Sequence, residues 1–160
     1  MWIDIPAPGA SGVLFAHGSH FGGHTLYLKD NRLHYVYNFV GMLEQKIVAS
    51  EDLPVGDNLL VSAEFVKDSD GKPGVCTGTL SLYYGEKKVG GDKIKTQPAT
   101  FGLTGSGLTV GRSLHAITYD YPGERPWPFT GGRIHFGAVD VSGEPYVDLE
   151  REAAAMIARE

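Results

Sequence analysis

The chain has 160 residues, of which 42% are hydrophobic and 21% are charged, and these values are ordinary for a single globular domain. Its 14 basic and 19 acidic residues give a net charge of −5, which argues against nucleic acid or an anionic membrane as the main partner, because both are bound through clustered Lys and Arg. The sequence has no apolar run of membrane-spanning length and no secretory signal pattern, so the cytoplasm is the default expectation. The single cysteine, Cys76, excludes an internal disulfide.

Strand-like segments follow one another along the chain, separated by turns that contain many of the 22 glycines and 9 prolines. In chain order we predict strands at 13–16, 25–29, 33–39, 45–49, 58–67, 78–84, 87–89, 99–103, 108–112 and 132–141. A spacing of about ten residues between turns is typical of an all-β sandwich. We therefore expect one domain over residues 1–160, built from two antiparallel sheets.

The best-defined element is a hairpin around Asp30-Asn31, a dipeptide that favours a two-residue turn. With that turn, Leu28 pairs with Leu33, and aliphatic and aromatic side chains share one face of the hairpin. The opposite face carries Tyr27, Lys29, Arg32, His34 and Asn38. We therefore expect a half-buried hairpin, with one face in the core and the other towards solvent.

The pattern changes near the C-terminus, where residues 144–160 predict one amphipathic helix. Pro145 is close to the first helical position, and acidic residues occupy the first turns. The apolar residues recur at helical spacing, at Leu149, Ala153, Met156 and Ile157. This helix either packs on the sandwich or docks on another domain.

Five segments carry a resemblance to a known family. In chain order they are GVLFAHGSHFGGHTLYLKDNRLHYVYNFVG, LPVGDNLLVSAEF, TGTLSLYYGEKKVG, FGLTGSGLTVGRS and FTGGRIHFGAVDVSG. Together they resemble the C-terminal β-domain that follows the catalytic domain in a group of bacterial arylsulfatases, and the resemblance extends from about Ile5 to Glu160. That domain is similar to the concanavalin A and laminin-G type of sandwich. The resemblance therefore implies a jelly-roll-like sandwich with one C-terminal α-helix.

The resemblance implies a role without catalysis. Sulfatases carry a Cys/Ser-x-Pro-x-Arg motif whose first residue becomes a formylglycine nucleophile, and this sequence does not contain it, since Cys76 is followed by Thr-Gly-Thr. We therefore expect a non-catalytic accessory domain, either a fragment or a free-standing relative, and assign no catalytic residue. Its expected partners are the sulfatase catalytic domain or a second copy of the chain, with carbohydrate as a further candidate.

Three closely spaced histidines raise the question of a metal site. The spacing of His17, His20 and His24 would place imidazoles on one side of a helix, but this segment is predicted as strand, turn and strand. Successive strand residues point to opposite faces, so His17 and His20 diverge, and Gly22-Gly23 resets the chain direction before His24. We predict no metal site and expect these histidines to be hydrogen-bonded or solvent-facing.

No cofactor is predicted from the remaining motifs. The segment KDSDG at 67–71 resembles the start of a calcium loop but lacks the Glu that such a loop requires at its end. A calcium ion held at a loop rim by backbone carbonyls stays open, because carbonyl ligands leave no pattern in a sequence.

The stretch HAITYDYPGERPWPFTGG is the strongest candidate for a ligand surface. Its prolines stiffen the loop, which lowers the entropy lost on binding. The candidate binding residues are Arg112, Tyr119, Tyr121 and Trp127, because flat aromatic rings beside hydrogen-bonding groups suit stacking on sugars. A carbohydrate-binding module is therefore the alternative function. The opposing interpretation is a loop that pins its own aromatic rings over the sandwich or faces the catalytic domain.

Overall fold

A computed structural model describes residues 1–68, 76–96 and 105–140. In chain order these residues form the strands β1 (Trp2–Ile5), β2 (Gly12–Ser19), β3 (Gly22–Lys29), β4 (Arg32–Phe39), β5 (Leu43–Val48), β6 (Gly56–Lys67), β7 (Cys76–Tyr84), β8 (Lys87–Thr96), β9 (Ser106–Val110) and β10 (Arg133–Phe136). No helix in the described ranges is long and apolar enough to cross a membrane.

The strands make two antiparallel five-stranded sheets. The first sheet has the order β10-β1-β6-β7-β8 and the second has the order β5-β4-β3-β2-β9. The main core lies between them, with fully buried side chains such as Ile3 and Val61 from the first sheet and Leu14 from the second. The predicted all-β sandwich of two antiparallel sheets is therefore confirmed. The predicted strand 99–103 and the predicted helix 144–160 lie outside the described residues.

The hairpin of β3 and β4 has the predicted register, with Leu28 opposite Leu33. Both turn residues, Asp30 and Asn31, have positive φ angles, of 50° and 59°. A two-residue hairpin turn of type I′ requires positive φ at both positions, and Asp and Asn tolerate it better than most side chains. The local turn chemistry therefore fixes this register.

Several strands differ from the prediction. β10 ends at Phe136, before the predicted end at residue 141, and β2 continues to Ser19, past the predicted end at residue 16. β1 is not predicted, because its four residues are too few to show an alternating pattern. β8 continues to Thr96, past the predicted end at residue 89. Gly90 and Gly91 resemble a turn in the sequence, but a Cβ at either position would lie 2.9 Å from a carbonyl oxygen, that of Val48 or Leu80. These glycines therefore permit close backbone approach inside a continuous strand.

The outer face of the hairpin is also buried, which corrects the expectation of a half-buried hairpin. Tyr27 and Val36 are fully buried there, and His34 and Asn38 are nearly so. The cover is the connection between β9 and β10, which lies across the outer face of the second sheet. An irregular loop has no periodic pattern that predicts what it covers, so the alternation within the strands was a poor guide to their burial.

Gly12 allows the second half of this loop to approach β2 closely. Its φ is +105°, and a Cβ at this position would lie 2.0 Å from the carbonyl oxygen of Pro128. The next residue, Val13, donates its backbone N–H to the carbonyl oxygen of Trp127 at 3.1 Å. Glycine is therefore required here both for its backbone angle and for the space.

Candidate functional site

The loop formed by residues 111–132 buries its own apolar side chains against the outer face of the second sheet. This second core consists of Val13, Ala16, Tyr27, Val36, Ile117 and Tyr121, with Trp127 packed against it. The rings of Tyr27 and Tyr121 meet edge to face with centroids 5.2 Å apart, and Trp127 lies 4.9 Å from Tyr121. Burial raises the pKa of Tyr121 to about 12. The loop is therefore packed against the sheet along much of its length.

A single carboxylate joins the loop to β3 and β5. Asp120 accepts a hydrogen bond of 2.7 Å from the Tyr27 hydroxyl and one of 2.6 Å from Nζ of Lys29, and Lys46 donates a third. Partial burial raises the pKa of Asp120, but the three donors outweigh that effect and hold this pKa well below its usual value. We call this group of four side chains the Asp120 anchor. Its carboxylate stays ionised and occupied by donors, which suits attachment and does not suit proton transfer.

Two further hydrogen bonds hold the same part of the loop. The Asn38 side chain donates to the carbonyl oxygen of Ile117 at 2.8 Å, and the Thr118 hydroxyl donates to a Glu44 carboxylate oxygen at 2.7 Å. Together with the Asp120 anchor, these bonds fix the backbone on both sides of Tyr119. The Tyr119 side chain projects outward and is 81% exposed.

Tyr119 belongs to a cluster of exposed apolar side chains. The His20 ring connects them, since its centroid lies 5.9 Å from that of Tyr119 and 4.0 Å from that of Phe21. Phe21 is 65% exposed, and Met42, in the neighbouring turn, is 76% exposed. Gly41 brings the two turns together, because a Cβ there would lie 3.2 Å from the His20 carbonyl oxygen and 3.5 Å from the Phe21 ring. We call Phe21 and Tyr119, with His20 between them and Met42 in the adjoining turn, the aromatic patch.

The structure brings part of the predicted ligand-binding set together. Tyr121 and Trp127 are in contact, but Tyr121 is only 7% exposed because its ring packs on the sheet. Arg112 is exposed, and its carbonyl oxygen accepts a hydrogen bond of 2.8 Å from the Thr109 hydroxyl. Tyr119 is exposed and contacts a histidine outside the predicted set. Sugar binding by these residues stays a prediction.

The histidines of the first strands lie in two different environments. His17 and His24 are opposite each other on β2 and β3, with ring centroids 5.7 Å apart. The Tyr35 hydroxyl lies 3.1 Å from Nδ1 of His24, whereas His34 lies on the outer face with its Nδ1 3.8 Å from Asp120. Burial, and to a lesser degree His17, lower the pKa of His24 to about 4. Within the described ranges, no three His, Cys, Asp or Glu side chains are grouped closely enough to hold a metal ion.

Phe21 and Met42 are functional candidates that sequence reasoning misses. Each is one large apolar residue beside a glycine in a turn, and neither belongs to an alternating or helical pattern. The available signal is their position, since tight turns lie at the surface and expose the side chains they carry. That signal does not show that the two turns meet.

Comparison with known proteins found that no family model, curated protein or solved structure matches the chain. The functional interpretation therefore depends on the residues and geometry described above.

Proposed function

We propose that the chain is a non-catalytic accessory domain of a bacterial arylsulfatase and that the aromatic patch packs against the sulfatase catalytic domain. The observation that carries the docking role is the patch, in which Phe21 and Tyr119 contact one histidine and Met42 lies in the adjoining turn, with the three side chains 65% to 81% exposed. The link to arylsulfatases is supported by the order of the resembling sequence segments.

The patch has the chemical character of an interface centre. Clustered exposed apolar side chains mark interaction surfaces more often than scattered ones do. Tyr, Phe and Met are enriched at the cores of protein interfaces, where charged residues are depleted. The Asp120 anchor holds the backbone beside Tyr119 before any partner arrives, which lowers the entropy lost on docking. A partner would therefore meet a preformed apolar surface.

The proposal includes the finer fold that the resemblance implies. This is a jelly-roll-like sandwich of the concanavalin A/laminin-G type, completed by a C-terminal helix at 144–160. The position of β1 between β6 and β10, which makes the first and last described strands neighbours, is compatible with that topology.

The first test is the reading frame that contains this sequence. We expect it to encode an adjoining domain with a Cys/Ser-x-Pro-x-Arg motif. A frame that encodes this chain alone would overturn the arylsulfatase part of the proposal.

The second test uses the full-length enzyme with Phe21→Ser or Tyr119→Ser. We expect each variant to lower the temperature at which aryl sulfate hydrolysis is lost, because the catalytic domain loses apolar contacts with the patch. Val66→Ser is the matched control, since Val66 is also largely exposed but lies on β6 in the other sheet. If the patch variants behave like the control, the docking role is wrong.

Two other partners would give distinct results. A dimer detected by sedimentation and abolished by Phe21→Ser would assign the patch to self-association. A change in tryptophan fluorescence on titration with glycans would favour the carbohydrate-binding alternative and the residues predicted for it. Either result would replace the catalytic domain as the partner of the patch.

A further inference from the structure

Two histidines lie directly opposite each other on neighbouring strands. His17 on β2 pairs with His24 on β3, and their ring centroids are 5.7 Å apart. Residues that are directly opposite in an antiparallel pair point to the same face of the sheet, with Cβ atoms about 5 Å apart. The prediction of no metal site rested on the divergence of His17 from His20, whereas this pair comes from two strands. The fold therefore brings two imidazoles together.

The separation of the two rings suits one shared transition-metal ion. An imidazole nitrogen binds zinc at about 2.0–2.1 Å, so two imidazoles on one ion have ring centroids roughly 5 to 6 Å apart when the angle at the metal is near tetrahedral or wider. The rings of His17 and His24 have this separation, and their planes are inclined at 56°. The two strands therefore hold the rings at the distance that a common ion requires.

The neighbours of His24 hold its imidazole in place. The Tyr35 hydroxyl lies 3.1 Å from Nδ1. When the Nδ1–H donates to this hydroxyl, Nε2 carries the lone pair, and a metal-binding histidine commonly donates its other ring N–H in this way. The rings of Phe15 and Tyr37, with centroids 5.0 Å and 6.3 Å from that of His24, restrict the imidazole further. With Nδ1 engaged by the hydroxyl, Nε2 is the nitrogen that can bind an ion.

The donor set favours a transition metal over calcium or magnesium. Ca²⁺ and Mg²⁺ bind oxygen ligands, whereas imidazole is a common ligand of Zn²⁺ and Cu²⁺. Among the residues that the structure describes, no third His, Cys, Asp or Glu side chain joins the pair. His17 and His24 both keep part of their surface exposed. An ion held by the two imidazoles would carry water, or a donor atom of a bound molecule, in its other positions.

We propose that His17 and His24 form a two-histidine site for a divalent transition-metal ion, Zn²⁺ or Cu²⁺, that joins β2 to β3. Cu²⁺ should bind more tightly than Zn²⁺, because the affinities of nitrogen sites generally follow this order. The proposal goes beyond the docking function and is independent of it, since neither histidine belongs to the aromatic patch.

Calorimetric titration of the full chain, without an affinity tag, with CuCl₂ and with ZnCl₂ tests the site. We expect one ion to bind per chain. His17→Gln should weaken the binding of each metal by about tenfold or more, since loss of even a residue that only orients a ligand costs about that much. His115→Gln, which changes an exposed histidine of the loop 111–132, should leave the affinity unchanged. Equal weakening in the two variants, or no binding by the wild-type chain, would overturn the proposal.

NMR spectra of the imidazole nitrogens identify the ligands in the wild-type chain, so this result does not depend on the folding of a variant. Addition of Zn²⁺ should shift the Nε2 resonance of His24 and one ring nitrogen of His17. His135, whose Nε2 lies 2.6 Å from a carboxylate oxygen of Asp4, is the internal control and should not shift. If Zn²⁺ shifts His135 as much as His24, or leaves His17 unchanged, the ion binds elsewhere and the proposal is wrong.

Discussion

The two faces of the second sheet are buried in different ways. The inner face packs on the first sheet through side chains such as Leu14 and Leu28, whose backbones are already paired within their sheet. The outer face is covered by the loop 111–132, whose ends make backbone hydrogen bonds with the sheet, such as Val13 to Trp127. Its middle part is held by side-chain hydrogen bonds, through Asn38, Thr118 and the Asp120 anchor. The contrast teaches that an irregular loop can cover a core when polar side chains of the sheet form hydrogen bonds with the polar groups of the loop.

The largest effect is expected where the loop touches β2. Gly12→Ala should lower the free energy of unfolding by about 3 kcal/mol or more, because the new Cβ would meet the Pro128 backbone and the loop would have to move. Urea denaturation measures this loss. Gly9→Ala is the matched control, since Gly9 has a similar φ of +102° and open space around its Cβ. Equal losses would show that the close approach contributes nothing.

The inner face should lose stability in mild acid through His24, and burial lowers the pKa of His34 on the outer face in the same direction. His24 has a pKa of about 4 in the folded chain against an ordinary 6.5, so the unfolded chain binds the proton first as the pH falls. The contribution of neutral His24 to the free energy of unfolding is complete above pH 6.5 and declines towards pH 4. The decline amounts to about 3 kcal/mol, because each pKa unit corresponds to about 1.4 kcal/mol. Denaturation curves between pH 7 and pH 4 measure the decline. His24→Gln should flatten it, whereas His115→Gln, in the exposed loop, should not.

The next prediction concerns how strongly the Asp120 anchor stabilises the cover of the outer face. Asp120→Asn should lower the free energy of unfolding by about 2 kcal/mol, because it weakens charged hydrogen bonds from Lys29 and Lys46. Glu51→Gln is the control, since it removes an exposed ion pair with Lys87 and should cost less than about 1 kcal/mol. The pKa of Asp120 lies below its ordinary 3.8, so its contribution is present above that pH and is lost only in stronger acid. A decline of the anchor's contribution between pH 6.5 and 4 would contradict this assignment.

The smallest effect is expected at the tip of the loop. Tyr119→Ser should change the free energy of unfolding of the isolated chain by less than about 0.5 kcal/mol, because the ring is exposed. Tyr121→Ser, two positions along, should cost about 3 kcal/mol, because it empties part of the second core. Chemical denaturation of the two variants compares them directly. Similar losses would mean that Tyr119 supports the fold and is not free for a partner.

Sequence reasoning predicts the inner half of the sandwich well. The pairing of Leu28 with Leu33 follows from a local turn and a period of two, and both are visible in a short window. The cover of the outer face is not predictable in that way. Asp120 lies 91 positions from Lys29 and 74 from Lys46, so their contact leaves no local pattern. The polar residues of a strand predicted to face solvent are in fact the attachment points of the loop.

In the candidate site, too, some features follow from the sequence and others appear only in the folded structure. Tyr119 and Tyr121 look equivalent in the sequence, as aromatic residues of one proline-rich loop. The structure exposes the first and buries the second, because the hydrogen bonds around Tyr119 fix how the backbone runs there. Phe21 and Met42 come from two other turns and join Tyr119 only through the fold. A surface assembled from three separate segments cannot be recognised before the segments are placed.

The hydrogen bonds that hold the loop involve the residues beside Tyr119, which form a supporting framework, and leave the Tyr119 ring at the surface. The hydrogen bonds described for residues 117–121 use the backbone and the neighbours of Tyr119, and the Tyr119 ring lies against the ring of His20. Position 119 is thus open to mutation at small cost to folding, whereas Asp120 is tightly constrained. Among descendants of this chain, one amino-acid replacement at the tip would change the displayed surface while the supporting framework is inherited intact.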